Sequence, residues 1–224
     1  MGKKIIFCLP GPSFSKEFVQ NWSNTLSTLS RLGYQVQASF AYDPNVYYAR
    51  TKCLLCQTTR GIDQKPFDGK VEYDYLMWVD SDVLFDAEQV VRLINHDVPI
   101  VSGVYVMHDN QHYPIVSDMD HEYFLKNGHY AFWDRKRLAD EQEKGNLVPV
   151  DYIGFGFMCV QKGVFEKLKY PFFTPRLITF GTDNVCEWAS EDVSWCMTVR
   201  ETLGLQVLVD PKIVVGHQKL MPLS

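Results

Sequence analysis

Two short acidic clusters hold most of the chemistry this chain can offer: Asp80-Ser81-Asp82 and Ser190-Glu191-Asp192. Aspartates two positions apart on a turn can meet one divalent cation, and oxygen donors suit Mg²⁺ or Mn²⁺. A cation held there would most naturally serve a phosphate group. Asp and Ser are also common in turns for local hydrogen bonding, so the tripeptide takes its meaning from what precedes it. Tyr75-Leu76-Met77-Trp78-Val79 is a run of five apolar residues that reads as a strand buried on both faces. The aspartates then lie at its carboxyl end, where open α/β sheets bind ligands. Asp118-Met119-Asp120 repeats the spacing without a buried strand before it and reads as a solvated loop.

The second cluster opens a helix. Acids in a first helical turn gain ~0.3–1 kcal/mol from the helix dipole, which explains them without any function. The functional alternative is a general base, a rigidly held carboxylate that takes a proton from a hydroxyl within hydrogen-bond reach. The helix terminus lowers its proton affinity, and desolvation by Trp188 or Trp195 would have to oppose that.

His217 follows Val214-Val215-Gly216. A lone histidine is more often a packing or surface residue, yet at a strand end it reaches the rim where the aspartates sit. Mn²⁺ accepts such a nitrogen more readily than Mg²⁺. Pro10-Gly11-Pro12 closes the first strand, so its backbone could cradle a base or ribose, and Arg50 could reach a phosphate; both also have plain structural readings. Gly154-Phe155-Gly156 lacks the third glycine and opening helix of a dinucleotide fingerprint. Its glycines either let backbone approach a ligand or form a bulge. No phosphate-loop, nucleophile-elbow or His-Glu-x-x-His motif occurs.

The elements that must position these residues follow from periodicity. Strands are expected over residues 4–9, 34–40, 73–79 and 99–105. Helices are expected over 15–32, 46–59 and from Asp86, whose Gln89 three positions on makes a capping box, to 94. This β-α-β-α-β-α-β order predicts a parallel sheet with right-handed crossovers. Residues 112–149 are aromatic, charged and weakly periodic, which suggests a hairpin or loops over the sheet edge. A strand at 154–160, a short helix at 163–168, a helix over 190–202 capped by Ser190, and strands at 207–210 and 213–215 complete the chain.

Composition narrows the class. With 46% hydrophobic and 22% charged residues, the 224-residue chain reads as a soluble globular protein, and one domain is the better expectation. A net charge of −5 and no block of like charge exclude a non-specific nucleic-acid binder. No apolar run approaches the ~20 residues of a transmembrane segment. The amino terminus lacks a signal peptide's apolar stretch, so a soluble cytoplasmic protein is expected. Cys53-Leu54-Leu55-Cys56 has no second pair nearby and reads as two buried thiols on one helical face.

Six segments, in order, together resemble the GT-A class of nucleotide-sugar glycosyltransferases near family 2, especially small stand-alone members of phages, large DNA viruses and bacteria. They are Ala49-Arg50-Thr51-Lys52, Tyr75 to Val83, Ile100 to Tyr105, Gly154 to Met158, Ser190 to Val193, and Val209-Asp210 to His217. The resemblance implies an α/β, GT-A (Rossmann-like) single domain, with a mainly parallel central sheet flanked by helices and a smaller antiparallel region in the second half. Residues 1–106 would be the nucleotide-binding half and 107–224 the acceptor and catalytic half. It also implies roles. Asp80 would contact the ribose, the metal or a metal-bound water, and Asp82 and His217 would ligate Mn²⁺ (or Mg²⁺). Pro10, Gly11, Pro12, Arg50, Asp80 and Ser81 would lie along the nucleotide. Asp192 would be the catalytic base, with Glu191 helping to hold the acceptor or the site. Ser102, Gly103, Tyr105, Gly154, Phe155 and Gly156 would line the donor-sugar and acceptor pocket.

The activity so implied is metal-dependent, inverting transfer of a hexose or 6-deoxyhexose from a nucleotide-sugar donor, UDP-linked by preference, to a hydroxyl of a glycan or other acceptor. Inversion is expected because one positioned carboxylate and no evident covalent nucleophile are present. A nucleotidyltransferase or a non-catalytic nucleotide-sugar or glycan-binding domain are the rival readings.

Overall fold

The computed structural model describes residues 2–181 and 185–218. The chain runs β1 (Lys4–Pro10), α1 (Lys16–Arg31), β2 (Gln35–Ala41), α2 (Val46–Cys53), β3 (Tyr75–Val79), β4 (Val83–Leu84), α3 (Ala87–Asn95) and β5 (Ile100–Val104). It continues through β6 (His112–Val116), α4 (His121–Asn127), β7 (Phe132–Asp134), α5 (Arg135–Lys144), β8 (Val148–Val150), β9 (Tyr152–Ile153) and β10 (Phe157–Gln161). The last elements are β11 (Arg176–Phe180), β12 (Val185–Ala189), α6 (Glu191–Leu203), β13 (Val207–Val214) and β14 (Gly216–His217).

A seven-stranded sheet in the order β2-β1-β3-β10-β5-β13-β8 forms the centre. β2, β1 and β3 are parallel, as are β5 and β13, and β10 and β8 run against them. Continuous apolar runs put both faces of β3 and β5 in the core. On one face Trp78 meets Phe155, Phe165 and Phe173, and Trp195 of α6 closes the cluster. On the other face Phe7, Phe85 and Phe157 pack beneath α1 and α3. Each such buried ring contributes ~1.5–3 kcal/mol, and this double packing fixes the sheet rim. Among the described residues no helix is long and apolar enough to cross a membrane.

The expected parallel sheet is therefore present, with β10 inserted in the opposite direction. Both halves of the Asp86–Gln89 capping box are made. α2 stops at Cys53 because Leu55 takes a left-handed φ of 53°, so Cys56 is buried beyond the helix rather than on the same helical face. Residues 207–214 form one strand with a register shift instead of two strands. Residues 112–134 and 152–153 build a second, antiparallel sheet in the order β7-β6-β9, with α4 and α5 started by the side chains of Asp120 and Asp134, while β8 joins the central sheet. Asp120 is thus a helix cap as well as a loop residue.

Candidate active site

The parallel strands β1, β3, β5 and β13 all end at one rim, and antiparallel β10 begins there. β3 ends directly in Asp80-Ser81-Asp82. The Asp80 amide donates to the Gly156 carbonyl at 3.0 Å, tying the acidic turn to the start of β10. Gly11 backs onto the same turn: a Cβ there would lie 2.4 Å from Ser81 Cβ and Oγ, so only glycine allows this approach. Pro10, Gly11, Pro12, Asp80, Ser81 and Asp82 line a cleft of about 290 Å³, with Tyr42 and Ala49 also in its walls. Hollows of about 490 and 540 Å³ lie between α1 and α3 and beside α2. They are larger, but neither contains a residue of the acidic turn or of the first turn of α6.

Arg50 departs from its expected place along a nucleotide. Its side chain is buried beneath the cleft, and the guanidinium donates to both oxygens of Asp80, from Nη1 at 2.9 Å and Nη2 at 3.2 Å. Nε donates to Glu191 Oε1 at 3.2 Å, and the group lies 5.2 Å from the Phe155 ring centroid. Burial opposes the charge, but Asp80 and then Glu191 outweigh it and raise the Arg50 pKa above its ordinary value. A planar fork with several donors is the side chain that can bridge two carboxylates in this way. Arg50 therefore links the acidic turn to α6, with three of its five N–H donors given to carboxylates.

Asp82 and His217 do come together. β14 pairs with β4, setting His217 against Val83, and His217 Nε2 lies 3.2 Å from Asp82 Oδ2. Nδ1 lies 2.5 Å from the Val106 carbonyl oxygen. A carbonyl can only accept, so Nδ1 carries the proton, and in the neutral ring the Nε2 lone pair points at a carboxylate oxygen. Such a facing is unfavourable unless a proton or a cation lies between them. A backbone carbonyl that fixes the tautomer is also the usual support behind a metal-binding histidine. One carboxylate oxygen and one imidazole nitrogen are a donor set whose chemistry fits Mn²⁺. Among the described residues no group of three His, Cys, Asp or Glu side chains converges to hold an ion. Asp80, expected as a further ligand, accepts one bond from Arg50 on each of its oxygens and keeps 30% of its side chain exposed.

At the start of α6, Glu191 is buried and Asp192 is half-buried. Burial raises the Glu191 pKa, the neighbouring Asp192 charge adds to this, and Arg50 opposes both. Asp192 is held on both oxygens. Oδ1 accepts from the Val193 amide at 2.9 Å and from the Ser190 hydroxyl, and Oδ2 accepts from the Tyr152 phenol at 3.3 Å. Ser190 sits at the expected cap position but gives its hydroxyl to Asp192 rather than capping the helix. Trp188 is 67% exposed and Trp195 packs inside the core, so the desolvation falls on Glu191 through burial of its own side chain.

The expected sugar pocket is corrected in part. Ser102 is fully buried and donates to the Phe157 carbonyl at 2.9 Å, and Phe155 is fully buried beneath Arg50. At Gly103 a Cβ would meet Ile213 and Phe157 side chains at 2.8 Å. These three residues support the rim from inside. Gly154 and Gly156 make room for the Tyr105 ring, whose hydroxyl would lie 2.1 Å from a Cβ at Gly154. That hydroxyl accepts from the Gly156 amide at 3.2 Å, and the ring packs edge-on to His217 at 5.2 Å. Burial raises the Tyr105 pKa well above its ordinary value, with Asp80 and Asp192 pushing the same way, so the phenol stays neutral beside both clusters. Tyr152 was not singled out from sequence, because one tyrosine in an irregular stretch gives no periodic signal.

No family model and no curated protein sequence matches the chain. Solved structures do. Protein A197 from STIV aligns with 99% of this chain and 97% of its own, at 15% identity and a TM-score of 0.51. The catalytic domain of Drosophila β1,4-galactosyltransferase 7, solved in complex with xylobiose, aligns with 97% of this chain and 71% of its own, at 12% identity and a TM-score of 0.52. At these identities the likeness concerns the path of the backbone, and in that respect this chain has the GT-A fold.

Proposed function

We propose that this protein is a metal-dependent, inverting glycosyltransferase that moves a hexose or 6-deoxyhexose from a nucleoside-diphosphate sugar, UDP-linked by preference, to a hydroxyl of a glycan. One observation carries the proposal: the facing Asp82–His217 pair, the cleft beside Ser81 and the doubly held Asp192 share one rim of the sheet. Asp82 and His217 would hold Mn²⁺ or Mg²⁺, and a cation so bound supplies Lewis-acid stabilisation of charge on a departing diphosphate. Pro10 to Pro12 and Ser81 form the wall against which the nucleoside lies.

Arg50 has a positioning role: it keeps Asp80 and Glu191 at fixed separation and so sets α6 against the acidic turn. Asp192 takes the proton of the acceptor hydroxyl as that oxygen forms its bond to the anomeric carbon and the bond to the diphosphate breaks. Tyr152, Ser190 and the Val193 amide fix the direction in which its oxygens point, and such orientation is a large part of general-base efficiency. A single displacement inverts the anomeric centre.

The test is incubation with a panel of UDP-hexoses and UDP-6-deoxyhexoses, with and without Mn²⁺. Metal-dependent release of UDP that Asp82→Ala abolishes, with an intact fold by circular dichroism, is the expected result. Release of pyrophosphate, or UDP release indifferent to metal, would refute it. NMR of the transferred product should show an anomeric configuration opposite to the donor's, and retention would remove Asp192 from its role.

A further inference from the structure

We infer that the hollow between α4 and β7 is a glycan-binding subsite that holds the acceptor chain beyond the sugar being modified; the identity of its occupant rests on the glycosyltransferase reading. The hollow measures about 370 Å³, and Ser117, Asp118, Asp120, Tyr123, Phe132 and Arg137 are among the residues lining it.

Its walls are pre-ordered. Trp133 Nε1 donates to Ser117 Oγ at 2.7 Å beneath the hollow. The Arg137 guanidinium lies 5.6 Å from the Trp133 ring centroid and pairs with Glu141 at 2.8 Å. Phe132 is half-buried and Tyr123 is 36% exposed, so both rings offer apolar surface to the space. Carboxylate capacity is left over beside them. Asp120 and Asp134 use only Oδ1, for the amides of α4 and α5, and Asp118 makes no hydrogen bond among the described residues.

Charge selects the class of occupant. Three carboxylates oppose a phosphate or a nucleic acid, and an ordered guanidinium opposes a cation. A neutral, hydroxyl-rich ligand satisfies both, because hydroxyls donate to carboxylates and accept from arginine. Aromatic walls with a few convergent polar groups are the usual make-up of a small-ligand pocket.

Position selects the glycan. Phe132 pairs with Val116, and Val116 pairs with Tyr152, so the three side chains share one face of the β7-β6-β9 sheet. The Phe132 and Tyr152 ring centroids are 6.4 Å apart, and the Tyr152 hydroxyl reaches Asp192. β7 and β9 are two strand spacings apart, about 10 Å. Val116 itself is fully buried, so an acceptor with one hydroxyl at Asp192 would reach the hollow across the Phe132 and Tyr152 rings.

The test is an array of neutral oligosaccharides two to six residues long, probed with the labelled protein, then calorimetry on the best binder and on its terminal monosaccharide. The oligosaccharide should bind about tenfold or more tighter than the monosaccharide. Asp118→Asn and Phe132→Ala should each weaken it about fivefold or more, with Phe132→Tyr close to wild type. Asp118 is exposed and unbonded, so its variant reads the subsite without a folding defect. Absence of any bound neutral oligosaccharide, equal affinity for monosaccharide and oligosaccharide, or unaltered binding in both variants would overturn the inference. Binding of UDP with Mn²⁺, measured separately on wild type, reports on the enzyme reading: its absence alongside intact glycan binding would sink that reading and leave the subsite standing.

Discussion

Replacing Arg50 by Ala should destabilise the protein in a pH-dependent way, and the size of the effect follows from its contacts. The side chain is 4% exposed and gives three N–H bonds to two carboxylates. Removing one partner of a buried ion pair costs ~3–5 kcal/mol, mostly from the charge left behind. Asp80 is 30% exposed and can recover water, whereas Glu191 is 9% exposed and cannot, so the lower end, about 3 kcal/mol, is expected at neutral pH. For a chain of this length that is a fall in Tm of about 6–12 °C. The pH dependence has a definite sign. Burial and Asp192 already raise the Glu191 carboxyl, and Arg50 lowers it, so loss of Arg50 raises it further. A carboxyl raised in the folded state favours folding when protonated and disfavours it once ionised. The deficit should therefore be full near pH 7.5 and shrink as pH falls toward the ordinary glutamate value of 4.5. Thermal melts followed by circular dichroism at the two ends of this range measure it. Arg50→Lys should recover part of the loss, since an ammonium restores charge but cannot fork between two carboxylates. A loss below about 1 kcal/mol, or one equal at both pH values, would refute the bridging role.

Asp192→Asn should lower kcat by about 10²–10⁴ with the donor KM unchanged, and a loss under about tenfold would dismiss it as the base. Tyr152→Phe removes one hydrogen bond to that carboxylate, worth ~1–1.5 kcal/mol, so kcat should fall about 5–12-fold without a change in donor affinity. Gly11→Ala puts a methyl group 2.4 Å from Ser81 and should cost ~1–3 kcal/mol in a urea melt and weaken UDP binding. Adding Ser81→Gly should return most of both, and simple additivity of the two variants would show that they do not touch.

Much of the first half was legible because its signals are local. Five apolar residues before Asp80, an Asp86–Gln89 box and a Ser15 start each declare one element, and each element is where the pattern put it. The direction of β10 was not legible, since an apolar run buried on both faces reads the same either way. Residues 112–153 hid a three-stranded sheet behind strands of two to five residues, too short for alternation to register. The meeting of Asp82 with His217 followed from strand ends sharing a rim. The fate of Arg50 did not, because an arginine in a polar helix carries no mark that it will be buried under Asp80 and Glu191. Asp210 is similar: it read as the end of a strand, yet it is a buried carboxylate held by Arg92 and His96.

The two-residue pairing of β14 with β4 has a thermodynamic consequence. It joins donors 135 positions apart, so an unfolded chain offers no comparable chelate. Any ion captured by that pair binds the native state alone, and its occupancy becomes a gauge of tertiary closure. Melting temperature would then climb with the logarithm of free Mn²⁺ above the dissociation constant. Whatever loosens the irregular run of β13 ahead of Gly216 would first be felt as weakened ion capture, before the sheet itself gives way.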